Sequence, residues 1–129
     1  YLSLGEQMYV KNKLNGESFN FGPMSQYSHT VENILKDLSQ HWNIQDPSKV
    51  YKITDDIKFH EAGLLKLNCD KALFHLKWVP TLNYEQLVAF TGSWYFSFYK
   101  DQENMLDFTL AQIGDYEKTA VHKGNQWTK

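Results

Sequence analysis

A single cysteine, Cys69, in 129 residues excludes an internal disulfide, and no Asn-x-Ser/Thr sequon occurs. Both absences point to a reducing compartment, and the expectation is a cytoplasmic protein. No apolar run approaches the roughly 20 residues that span a bilayer, and no charged-then-apolar signal segment opens the chain, so a soluble protein without a membrane partner is expected. A basic field is also missing. Thirteen basic against fifteen acidic residues give a formal charge of -2, which argues against nucleic acid as a partner.

Several catalytic signatures are lacking too. The seven glycines form neither G-x-G-x-x-G nor a Walker A loop, so the sequence offers no backbone cradle for a cofactor pyrophosphate. His60-Glu61-Ala-Gly-Leu64 starts like a zinc-protease motif but has Leu64 where the second histidine must stand one turn later, and His29, His41, His75 and His122 show no ligand spacing. No metal site is expected. Tyr9 and Lys13 match Tyr-x-x-x-Lys, the pair by which a lysine lowers a phenol's pKa, but an amphipathic helix with Tyr inside and Lys outside yields the same spacing. The pair reads as structural.

What is present is one domain's worth of chain, with 42% hydrophobic and 16% aromatic residues to build a core. Tyr1, Leu4 and Met8 recur at helical spacing, which predicts a helix over residues 1–14 that stops at Asn15-Gly16. Residues 18–21 alternate polar and aromatic before Gly22-Pro23, as a short strand does. Val31, Ile34, Leu35, Leu38 and Trp42 predict a helix capped by Thr30. Val50, Tyr51 and Ile53 suggest a second strand, residues 64–67 a third, and 55–63 a polar loop between them. A short helix over 69–77 stops before Pro80, and Asn83 with Gln86 forms a capping box ahead of a long aromatic helix running to Phe98. Thr109 and Gln112 suggest another box opening a last helix, and the polar stretch 121–129 reads as a flexible tail. The expected fold class is α/β, an α+β lobe of several helices with a small sheet of short strands. Tyr1 in place of an initiator Met, followed at once by apolar residues, suggests a piece of something longer.

Phe19-Asn-Phe-Gly-Pro23, His60-Glu-Ala62, Leu65-Lys-Leu67, Cys69, Lys71-Ala72 and Trp78-x-Pro80 resemble the C-terminal half of extended short-chain dehydrogenases, the NAD-dependent epimerase/dehydratase family. His60-Glu61-Ala62 ahead of Leu-Lys-Leu, the tail residues Met105, Phe108, Gln112 and Tyr116, and the opening Tyr1, Glu6 and Tyr9 are similar, more narrowly, to the CDP-glucose 4,6-dehydratases of that family.

The resemblance implies a lyase of deoxysugar biosynthesis with a recycled NAD. It implies that residues 1–120 are the C-terminal lobe that binds the nucleotide sugar. The glycine-rich Rossmann domain and the catalytic residues would precede this chain, which alone would be inactive. Its own N-terminal Rossmann domain would be the lobe's partner, with a homo-oligomer expected of the intact enzyme. His60 and Glu61 are the expected substrate contacts, a protonatable donor beside an acceptor, and Asn20 with Gly22 would shape the adjoining loop. The alternatives are a stand-alone, non-catalytic binding or interaction module, or a piece of another nucleotide-sugar epimerase or dehydratase. Asn68, Asp70 and Lys77 depart from that family's usual Asp, Ser and Gly, which leaves base and sugar preference open.

Overall fold

The computed structural model describes residues 1–24, 28–53, 67–101 and 104–129. They form five α-helices: α1 (Leu2–Val10), α2 (Val31–His41), α3 (Asp70–Leu76), α4 (Tyr84–Phe96) and α5 (Met105–His122). Short 3-10 turns occupy Asn12–Leu14, Pro47–Lys49 and Gln126–Thr128, and α4 runs on into a π-helical turn at Ser97–Asp101. No helix among the described residues is long and apolar enough to cross a membrane.

No strand occurs among the described residues, so the expected α/β lobe is corrected to an all-helical one. The reason is that a strand exists only through its ladder partners, whereas alternation of side chains is a property of one segment alone. No backbone hydrogen bond joins residues 18–21 to another described residue, although Phe19 and Phe21 do turn toward the core. Val50 closes the 3-10 turn Pro47–Lys49, and Tyr51 is held by its side chain, the phenol donating to Glu32 Oε1 at 2.6 Å. Of the third expected strand only Leu67 is described, and the loop 55–63 lies outside the described residues.

Where the local code is strong, helices begin as expected. The hydroxyl oxygen of Thr30 accepts the Asn33 N–H at 3.1 Å while Asn33 Oδ1 accepts the Thr30 N–H, so both orphan amides at the start of α2 are satisfied. Asn83 and Gln86 do the same for α4, at 2.8 and 3.0 Å. α1 is shorter than the expected 1–14 and breaks at Lys11 into the 3-10 turn. α5 opens earlier than expected, on Asn104, whose side chain accepts from the Leu106 N–H.

α1 and α3 share a small core in which Leu14, Ala72 and Leu76 are buried against Leu4, Met8, Phe19, Phe21 and Trp78. α2 lies on α4, and α4 in turn meets α5 through Trp94, whose indole N–H donates to Thr109 Oγ1 at 2.9 Å. Residues 121–129 are tied back to the start of α4. Asn125 is buried and donates to Thr81 Oγ1 at 2.7 Å, and Lys123 Nζ donates to the Thr81 carbonyl at 2.6 Å.

Candidate functional site

Among the described residues, Phe19, Asn20, Phe21 and Gly22 lie in a seam along the entry to α3, beside Leu67, Cys69 and Lys71. Asn68 prepares that helix: its side-chain oxygen accepts the Asp70 N–H at 2.8 Å. This bond to the residue two positions on is an Asx turn, which fixes the backbone as it enters the helix. The Asn20 amide donates to the Asn68 carbonyl at 3.2 Å, pinning the segment to the helix entry across 48 positions of sequence. Asn20 remains exposed, and its side chain keeps a second N–H and a carbonyl for a ligand.

A second tie lies beside the first. Lys71 Nζ donates to Glu17 Oε2 at 2.6 Å and stands 5.0 Å from the centre of the Phe19 ring, so one ammonium serves a carboxylate and an aromatic face. The Lys71 hydrogen bond and charge hold the Glu17 carboxyl below the usual carboxylate range. Both groups are well exposed, and the tie steers the segment more than it stabilises the fold. Sequence reading placed Lys71 in the family pattern but missed Glu17, for which 54 positions of separation leave no local signal.

Gly22 sits at the end of the seam. A β-carbon there would meet Cys69 Sγ and Leu67 Cδ1 at 3.6 Å, an ordinary contact, so neither packing nor backbone geometry demands glycine. His60 and Glu61, the expected substrate contacts, lie outside the described residues. Of the four expected site residues, the structure brings Asn20 and Gly22 together at the seam. Tyr9 is 92% exposed near the end of α1, with the helix broken before Lys13, so Tyr9 is not on the inner face that the Tyr-x-x-x-Lys spacing suggested.

The seam ends at Trp78, whose ring meets Phe21 edge-on at 5.1 Å between centroids. Beyond it a cavity of about 230 Å³ opens between α1 and the Gln126–Thr128 turn, with Glu6, Trp78, Gln126 and Trp127 in its wall; neither Asn20 nor Gly22 lines it. Among the described residues no group of His, Cys, Asp or Glu is placed to hold a metal ion. All thirteen basic residues of the chain are lysines. A diphosphate therefore cannot be gripped here by the bidentate guanidinium fork, only by single ammonium donors, histidine or backbone amides.

Among curated proteins, the chain is similar to the CDP-glucose 4,6-dehydratase of Salmonella typhimurium (strain LT2), 28% identical over 116 residues that cover 90% of this chain. The relationship is distant. The match takes in 31% of the dehydratase, so the chain spans about a third of that relative's length. No protein-family model matches the chain, and no solved structure matches it.

Proposed function

We propose that this chain is the nucleotide-sugar-binding portion of a dehydratase that converts CDP-glucose to CDP-4-keto-6-deoxyglucose. The observation that carries the reading is the 28% identity sustained across 90% of the chain, since a match confined to one helix would speak only of local composition. The seam agrees with it. Asn20, Asn68 and Lys71 bind residues 17–22 to the start of α3, and the segment 54–66 that holds His60 and Glu61 enters α3 through Leu67 and Asn68. Asn20, Gly22, His60 and Glu61 are the substrate-binding residues of this reading. Among the described residues the glycines do not fit NAD: Gly16 and Gly124 have positive φ, yet neither opens an α-helix toward a pyrophosphate. In this reading NAD is held, and hydride transfer carried out, by protein outside this chain, which contributes recognition of the nucleotide sugar.

Calorimetry of CDP binding to the intact protein, wild type and His60→Ala, tests the assignment. Loss of one hydrogen bond to a charged diphosphate costs about 1.5 to 3 kcal/mol, so the variant should bind CDP roughly ten- to a hundredfold more weakly at pH 6, with NAD affinity unchanged. At pH 8 the gap should narrow, because the wild-type imidazole has lost its cationic form. Equal affinities at pH 6 would remove His60 from the site. Absence of any CDP-glucose turnover by the intact protein would remove the reaction.

A further inference from the structure

Three ion pairs occur among the described residues. Two of them, Lys36 with Glu32 and Lys118 with Asp115, lie within one helix at the spacing that brings side chains together in any helix. Lys71 with Glu17 differs, because it joins α3 to a segment 54 positions earlier in the chain. With side chains 40% and 51% exposed, such a pair adds little to stability. What it fixes is geometry.

That geometry is a register. Residues 17–22 run antiparallel to the entry of α3: Glu17 meets Lys71, Asn20 meets the Asn68 carbonyl, and Gly22 lies beside Leu67. Backbone hydrogen bonds set such an alignment in a sheet, but none joins residues 18–21 to another described residue. Burial of Phe19 and Phe21 does not set it alone, since the hydrophobic effect is non-directional. The polar contacts must. Asn20 makes a neutral bond at 3.2 Å, whereas the bond of Lys71 to Glu17, at 2.6 Å, is charge-assisted and the stronger of the two. The same ammonium stands 5.0 Å from the Phe19 ring centre, and His75, one turn further along α3, meets that ring edge-on at 6.4 Å. Phe19 is thereby held by two residues of one helix face, and Asn20, next in the chain, stays exposed.

We propose that Glu17 and Lys71 are positioning residues, whose ion pair sets the register of residues 17–22 on α3 and so aims Asn20 at the nucleotide sugar. The proposal rests on the reading of this chain as the nucleotide-sugar-binding portion of a dehydratase. Neither residue touches substrate; both act through Asn20. Without the pair the segment slides, and the Asn20 amide is misplaced equally for the bound substrate and for the transition state. Loss of such uniform binding raises KM and leaves kcat unchanged.

Steady-state kinetics of the intact protein with CDP-glucose tests this. Glu17→Gln keeps the size of a well-exposed side chain and removes its charge, so the protein should fold as before. Its KM should rise about tenfold, the worth of about one hydrogen bond, at unchanged kcat. Lys71→Met should do the same, and exchanging the two residues, Glu17→Lys with Lys71→Glu, should recover most of the affinity. On top of Asn20→Ala, Glu17→Gln should add nothing, because residues that act through one contact are not additive. An unchanged KM in Glu17→Gln would overturn the proposal, as would a further rise of about tenfold on top of Asn20→Ala. The register is also readable without substrate. In protein carrying isotope-labelled asparagine, the Asn20 side-chain amide signal, assigned by its loss in Asn20→Ala, should shift in Glu17→Gln. A signal that stays in place refutes the positioning role even where CDP-glucose is turned over, and a shifted signal in a protein that turns over no CDP-glucose refutes only the dehydratase reading.

Discussion

The His41 side chain lies over Gly92, with Cβ and Cγ each 2.8 Å from the point where a β-carbon on that glycine would stand. This contact sets how closely α2 and α4 approach. The atoms involved are at the root of the histidine side chain, so no rotamer change relieves a clash there. Gly92→Ala would gain up to about 1 kcal/mol of helix propensity but incur about 1 to 3 kcal/mol of overpacking. The expected outcome is a net loss of up to about 2 kcal/mol, read from the urea midpoint at unchanged slope.

Tyr84 reports the same helix pair through pH. Its ring stacks on His29 at 3.4 Å and its hydroxyl donates to Asp37 Oδ2 at 2.6 Å. Burial first, and then the bond to Asp37, push its pKa up to about 12. A pKa raised on folding favours the protonated state, so this stability is complete below the unfolded value of about 10 and is lost as pH rises toward 12. Glu32 raises Tyr51 in the same direction. Tyr84→Phe should cost about 0.5 to 1.5 kcal/mol at neutral pH and should flatten the alkaline loss of Tm that the wild type shows above pH 10.

Lys77 ends α3 in the left-handed region, at φ 53° and ψ 27°, where a glycine would sit without strain. The Trp78 N–H reaches back to the Ala72 carbonyl at 3.3 Å, so the turn forms despite the side chain. A non-glycine residue there costs about 1 to 2 kcal/mol, and glycine's greater freedom in the unfolded chain returns part of the gain. Lys77→Gly should therefore stabilise by about 0.5 to 1 kcal/mol, a rise of about 2 to 4 °C in Tm for a chain of this size. An unchanged or lowered Tm would mean that the Lys77 ammonium, 5.4 Å from the Phe74 ring centre, outweighs the backbone strain.

Sequence reasoning succeeded where structure is decided within four residues. Thr30 with Asn33, and Asn83 with Gln86, are complete instructions for starting a helix. It failed where the deciding partner is remote. The alternation at Phe19 and Phe21 is real and buries both rings, but no sequence window reveals whether a neighbouring strand exists to make that alternation a sheet. Thr109 and Gln112 mimic a capping box and do other work: Thr109 Oγ1 donates to the Met105 carbonyl one turn back, and Gln112 donates across to the Phe90 carbonyl of α4 at 2.9 Å. At the candidate site, Asn20 was singled out only through resemblance, and the tie of Glu17 to Lys71 left no sequence signal at all.

The clasp of Asn125 on Thr81 fixes a temporal order. It closes 44 positions of chain that contain both α4 and α5. During synthesis α4 can coil as soon as it emerges, since helices form within microseconds while the ribosome adds only some 5 to 20 residues per second. The polar clasp cannot form until residue 125 has left the exit tunnel. Thr81 waits without its partners until then, so α4 and α5 are both made before the contacts that tie them to residue 81 can close.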